Sequence, residues 1–300
     1  MKKKIFLMIF AAVMITSVVA CGGSDTDKTD SVSQSQESSE QQEKEKKEQI
    51  TFEKMTVVDN EECTIKINEI KPNSIWGYTL EVELENKSAD KTYMFAVNNA
   101  SVNGVQCDPL FADSVAPGKK SNEEITFFDE TLEENGIGDF TDIEISLRVY
   151  DDNDWEAEDI ASETVHIYPY GEDKATTFVR ESQDSDNVIV DNEYVTAIIT
   201  GYEEDDIWGY TANLFLVNKT DKEIMFSVDE TSINGYMMDP FWADSVSAGK
   251  CAFTSISWSD DNLEENGISE VENIEFIFSA SDNEDWTADD LVNEKVVLNP

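Results

Sequence analysis

The sequence predicts an all-β chain of two tandem antiparallel β-sandwich domains. Three observations carry that expectation. Apolar and polar residues alternate from Ile75 to Asn86, with Trp76, Tyr78, Leu80, Val82 and Leu84 on one face and Thr79, Glu81, Glu83 and Glu85 on the other. A period of two marks a strand with one buried face. The stretch Ile75-Trp76-Gly77-Tyr78-Thr79 returns 132 residues later as Ile207-Trp208-Gly209-Tyr210-Thr211. Between the alternating runs lie the Gly, Asn, Asp and Pro clusters that turns require.

Residues 1–20 begin with the basic run Lys2-Lys3-Lys4 and continue as an apolar stretch from Ile5 to Val19, of signal-peptide length and short for a membrane span. Val18-Val19-Ala20-Cys21 follows and resembles the lipobox of bacterial prolipoproteins. That resemblance implies cleavage before Cys21, a diacylglycerol on its thiol and an acylated amino terminus. Two acyl chains suffice for stable anchoring. The implied place is the outer face of the cell membrane. Residues 21–50 then read as the lipidated cysteine and a disordered tether: Gly, Ser, Asp, Gln, Glu and Lys dominate and no aromatic residue occurs. As a flexible coil such a segment spans roughly 30 Å.

The first repeat covers residues 51–171, a connection 172–187, and the second repeat 188–300. Val58-Asp59-Asn60-Glu61 recurs as Val190-Asp191-Asn192-Glu193. Past a one-residue deletion near Ala89 the offset becomes 131: Asn103-Gly104 maps to Asn234-Gly235, Asp108 to Ser114 maps to Asp239 to Ser245, and Leu132 to Ile137 recurs unchanged as Leu263 to Ile268. In each unit the runs Cys63–Ile70 and Ile75–Asn86 flank Lys71-Pro72-Asn73-Ser74 and suggest a hairpin. Asn-Gly, which tolerates positive φ at both centres of a type I′ turn, suggests a second. Further strands are expected around Ile125 and Phe127, over Ile143 to Val149 and over Thr164 to Ile167. Some seven short strands fit an immunoglobulin-like sandwich. Short helices are expected to end at Gly136 and Gly267 and to follow Asp154 and Asp285. The run Asn-Gly, Asp-Pro, aromatic, Ala-Asp-Ser, Gly-Lys at 103–119 and 234–250 resembles the immunoglobulin-like modules of lipoproteins from Gram-positive bacteria. That resemblance implies the fold and the location, and no chemistry.

The formal net charge is −44, from 65 acidic and 21 basic residues. So acidic a surface repels nucleic acid and favours cations or basic partners. Cys63, Cys107 and Cys251 have no cysteine at their counterparts and read as small apolar core residues, with one Cys63–Cys107 disulfide open to an oxidising compartment. His166 is the only histidine, which excludes a histidine triad and a two-histidine metal site. No Gly-rich phosphate loop occurs, and carboxylates are too frequent for any one pair to mark acid–base chemistry. The reading is therefore non-catalytic, with no cofactor beyond a weak calcium site. For calcium the places are Asp151, Asp152 and Asp154, with Asp282, Glu284 and Asp285 in the second repeat; neither run has EF-hand spacing.

Alternation places Trp76 and Trp208 in the cores rather than on sugar-binding platforms. Phe111, Phe241 and Trp242 follow Asp-Pro in loops and are the candidates for exposed aromatic contacts. The duplication adds an internal control. Lys66 becomes Ile198, Glu83 becomes Phe215, Glu85 becomes Val217, Asn122 becomes Phe253 and Ser146 becomes Ile277. A face that meets water does not gain five large apolar groups without reason. It is expected to be covered by the first repeat, a second chain or an outside ligand. The function expected is recognition of a protein or envelope component, with a calcium- or carbohydrate-binding module as the alternative.

Overall fold

Alternating burial builds every long strand. In the computed structural model, which describes residues 49–127, 129–154, 156–205, 207–285 and 287–300, β1 (Met55–Asp59), β2 (Cys63–Ser74), β3 (Gly77–Asn86) and β7 (Lys120–Phe127) form one antiparallel sheet of the first repeat, in the order β1-β2-β3-β7. β5 (Val105–Cys107), β4 (Tyr93–Val102), β8 (Ile143–Asp151) and β9 (Ala161–Ile167) form the other, and β6 (Ala112–Val115) pairs with β4. Ile65, Ile67, Leu80, Leu84, Ile125 and Phe127 from the first sheet meet Phe95, Ile143, Ile145, Leu147 and Val149 from the second in one buried core. The fold is an all-β, immunoglobulin-like sandwich.

The second repeat has the same plan. β10 (Asn187–Asp191), β11 (Val195–Asp205), β12 (Gly209–Asn218) and β16 (Cys251–Trp258) make its first sheet. β14 (Tyr236–Met237), β13 (Ile224–Ile233), β17 (Ile274–Asp282) and β18 (Val292–Leu298) make its second, with β15 (Ala243–Val246) beside β13. A separate core gathers Leu214, Leu216, Phe226, Trp258, Phe276 and Phe278. Even the irregularities repeat: β1 and β2 shift register between Thr56 and Val58, and β10 and β11 do so between Val188 and Val190.

Local signals account for the turns. Asn103 and Gly104 hold φ of 52° and 83° between β4 and β5, as the Asn-Gly hairpin requires. The single-turn helices α1 (Asp129–Glu134) and α2 (Asp260–Glu265) close as expected, with Ile137 N–H donating to Leu132 O at 2.8 Å and Ile268 N–H to Leu263 O at 2.9 Å. Among the described residues no helix follows Asp154 or Asp285. Their carbonyls close turns to Ala157 and Ala288, while Trp155 and Trp286 lie outside the described residues, as does everything from residue 1 to residue 48, Cys21 included.

One hairpin departs from expectation. β2 runs through Pro72 to Ser74, its register shifting between Lys71 and Ser74, and Ser74 pairs with Gly77. The turn is therefore Ile75-Trp76, not Lys71 to Ser74. Gly77 and Gly209 fix this, with φ of 115° and 85°. A Cβ on Gly209 would lie 2.3 Å from the Trp258 carbonyl, so only glycine fits. The tryptophan before it is thrown to the tip. Trp76 and Trp208 are 68% and 67% exposed, against the core placement that alternation implies.

Candidate functional site

The diverged face of the second repeat lies along its contact with the first. Ile198 on β11 pairs with Phe215 on β12, which pairs with Phe253 on β16, so the three side chains form a row across the sheet. Phe215 is buried in the core cluster of the first repeat, and Ile198, Val217 and Phe253 pack against the same cluster. Phe178 from the connection caps the row, its ring 6.4 Å from Phe215 and 5.8 Å from Phe253. Its backbone N–H donates to Asn103 O at 2.8 Å. The connection is thus more than the polar spacer its composition suggests.

The backbones join as well. β16 meets β5 in a short parallel bridge, Cys251 opposite Val105, which fuses two sheets into one of nine strands. Gln106 Nε2 donates to Ser245 O at 2.6 Å, and Ser247 N–H donates to Gln106 Oε1 at 2.9 Å. Lys250 Nζ reaches Glu144 Oε2 at 2.7 Å, and the same carboxylate lies 3.1 Å from His166 Nε2. His166 Nδ1 lies 2.8 Å from Asp142, so the histidine belongs to a carboxylate-lined strand surface.

In the first repeat the same strand positions carry a lattice of charge. Lys66 pairs with Glu83 at 2.9 Å, and Lys120 pairs with Glu83 at 3.5 Å and Glu85 at 3.0 Å. Sequence comparison missed one member of the switch: Lys120 is replaced by Cys251, now buried against the first repeat. Ile277 does not belong to this face. It lies on β17, in the other sheet, opposite Asp229 and Lys295.

Arg180 holds the connection in place. Its guanidinium lies 5.7 Å from the Phe215 ring centre and donates two 2.7 Å hydrogen bonds to Asp186. Those bonds, joined by the Gln183 N–H, lower the Asp186 carboxyl from its ordinary 3.8 to about 2. A depressed carboxyl stabilises the fold fully above its unfolded value, and that contribution is lost as pH falls through the folded one. The urea midpoints of wild type and Asp186→Asn are therefore expected to differ by a constant amount above about pH 5. They converge between 3.8 and about 2.

The loop aromatics divide. Phe111 packs against the first core and Trp242 against the second, so neither is the free contact expected of it. Phe241 is 96% exposed, and its counterpart Leu110, passed over in the sequence, is exposed too. The cause is local. Asp108 Oδ1 accepts the Leu110 N–H at 3.2 Å and Asp239 Oδ1 accepts that of Phe241 at 2.8 Å, and both residues take positive φ. The side chain two places after the aspartate turns outward, and the next turns in.

The calcium candidates already have partners. Asp151 pairs with Lys91 at 3.0 Å and accepts the Asn153 N–H; Asp282 pairs with Lys222 and accepts the Glu284 N–H. The lysine hydrogen bonds hold both carboxyls below their ordinary range. Asp285 is held by Thr287, and Asp152, Asp154 and Glu284 are exposed. Among the described residues no three metal-ligating side chains converge. Cys63, Cys107 and Cys251 are free thiols, so the disulfide left open by the sequence is not formed. Burial pushes them to about 11, 12 and 11.

Comparison with protein families and with curated proteins finds no match. Among solved structures the chain matches red sea bream transglutaminase at 11% identity, over 80% of this chain and 31% of that one, with a TM-score of 0.23. It matches the CsuC–CsuE chaperone–tip adhesion subunit pre-assembly complex of Acinetobacter baumannii at 11% identity, over 73% and 90% of the two chains, TM-score 0.23. It matches the YadV chaperone at 9% identity, over 73% and 92%, TM-score 0.21. The chain spans about a third of the transglutaminase's length.

Proposed function

We propose that the chain is an extracytoplasmic lipoprotein, anchored through Cys21, whose two coupled domains form a non-catalytic module that recognises a protein or envelope component. The observation that carries this reading is the pair of hairpin tips. Each repeat presents an exposed Ile-Trp turn, Ile75-Trp76 and Ile207-Trp208, where turns ordinarily carry small polar residues. A tryptophan held on a short turn is a large, rigid contact with little freedom to lose on binding. Both copies keep it although the strands around them have diverged.

Capture from envelope extract is the test. The full chain is expected to retain a partner that the Trp76→Ala, Trp208→Ala double variant loses, with circular dichroism unchanged. Equal capture by the two proteins refutes recognition through the tips. Exposed tryptophans also favour carbohydrate as a second reading, and glycan retention that fails in the same variant would select it.

A further inference from the structure

The repeats differ at a second place, a cleft beneath the hairpin tip of the second domain. In the first domain Phe140 is buried and stacks on Tyr78, ring centres 4.3 Å apart, with its edge toward Phe127 at 6.2 Å. The counterparts are Val271 and Tyr210, and both are half-exposed. The backbone that carries them is pinned alike in the two domains. Asn103 donates to Asp139 O at 2.7 Å and accepts the Thr141 and Asp142 N–H groups; Asn234 donates to Glu270 O at 2.8 Å and accepts those of Glu272 and Asn273. The loop has not moved to fill the space. A cleft of about 230 Å³ lies there, with Val271 in its lining where the first domain has Phe140.

The lining of that cleft selects a chemistry. Its floor is apolar and aromatic: Tyr210, Leu263, Ile268 and Val271. Tyr202 extends the aromatic wall, stacked on Tyr210 at 6.2 Å, where the first repeat has Ile70. The rim holds Glu204, Asp260, Glu264 and Glu270, and among the described residues no basic side chain lines it. Pro72 stands at the counterpart of Glu204. Plug removal, a second tyrosine and an added carboxylate are separate changes that converge on one cleft. A flat apolar floor under carboxylates suits a group with an apolar body and a cationic head.

We propose that this cleft binds an alkyl- or aryl-substituted ammonium or guanidinium group. Two sources share that chemistry, a free organic amine and a lysine or arginine side chain of a polypeptide. The inference goes beyond recognition through the hairpin tips, and either can fail alone, because a small cation needs no tip contact.

The test is an amide-shift titration of the full chain with phenethylammonium and agmatine. The neutral isostere 2-phenylethanol is the control for charge, and blocked acetyl-Gly-Arg-Gly-amide is the polypeptide arm. Saturable shifts are expected at Tyr210, Ile268 and Val271 with the cations, and at least about tenfold weaker binding of the alcohol, which lacks the attraction of the rim. Val271→Phe restores the plug of the first domain and is expected to abolish the shifts. Glu204→Gln with Glu270→Gln is expected to weaken the cations and leave the alcohol unchanged. Saturation by the peptide assigns a side-chain source; saturation by the free amines alone assigns a small molecule. No saturable shift with either cation at 10 mM, a concentration on the order of ten times a weak millimolar Kd, would overturn the proposal. So would equal binding of the alcohol, or cation binding indifferent to both variants.

Discussion

Phe215→Glu combined with Phe253→Asn is expected to split the unfolding of the two-domain body into separate transitions. These are the residues that the first repeat carries at the same strand positions, Glu83 and Asn122, so the second sandwich keeps a sequence its own strand frame accepts. What is lost is contact between domains. Phe215 is buried in the first domain's core cluster, and Phe253 packs against it beneath Phe178. Full burial of a phenylalanine contributes roughly 1.5–3 kcal/mol, and Phe253 is only partly buried, so the pair removes about 2–5 kcal/mol of coupling. Calorimetry of the variant should show two peaks where wild type shows one, and small-angle scattering a larger radius of gyration. A single peak at the wild-type temperature would mean that the row does not couple the domains.

Replacing Asn86 or Asn218 by leucine is expected to destabilise the domain that carries it by roughly 3 kcal/mol, because each leaves buried and part-buried backbone groups unpaired at about 1–3 kcal/mol apiece. Asn86 is fully buried at the end of β3, donates to Lys91 O at 2.8 Å and Val115 O at 2.7 Å, and accepts the Ser88 N–H. Asn218 repeats the tie with Lys222 O at 2.7 Å and Val246 O at 2.8 Å, and accepts the Thr220 N–H. One amide thus links the strand end, the following turn and the β6 or β15 edge. Leucine matches its shape without its hydrogen bonds, so packing and polar contributions separate. Urea unfolding measures the loss; a change under about 1 kcal/mol, the size of a single ordinary hydrogen bond, would leave the amide no structural role.

The strands were legible wherever a single face is buried, as along Leu80, Val82 and Leu84, because burial of one face imposes the period directly. The Asn103-Gly104 hairpin and the helix ends before Ile137 and Ile268 were legible because their backbones leave few residues any choice. Trp76 was not. Alternation continues on paper into a turn, and what breaks it is a glycine at positive φ, Gly77 here and Gly209 in the second repeat, where the close approach to Trp258 is a tertiary fact. Phe111 and Trp242 were misplaced by one residue for a related reason: an aspartate two positions ahead turns the backbone, and composition does not carry that direction. The diverged face was visible because two copies could be compared, but its occupant was not. Phe178 sits in a segment whose other residues, Ala175 and Val179 apart, are polar, and nothing local marks it as a plug. Ile277 shared the trend without sharing the sheet.

The contact between the domains is heterologous: the β16 side of one sandwich meets the β5 edge of the other. Stacked molecules would repeat it if the β7 side of one accepted the β14 edge of the next. That side bears the Lys66, Glu83, Glu85 and Lys120 lattice instead of a phenylalanine row, so a third sandwich would have to strip water from four charges to dock. The divergence that joins the pair therefore also withholds the same contact from a third sandwich.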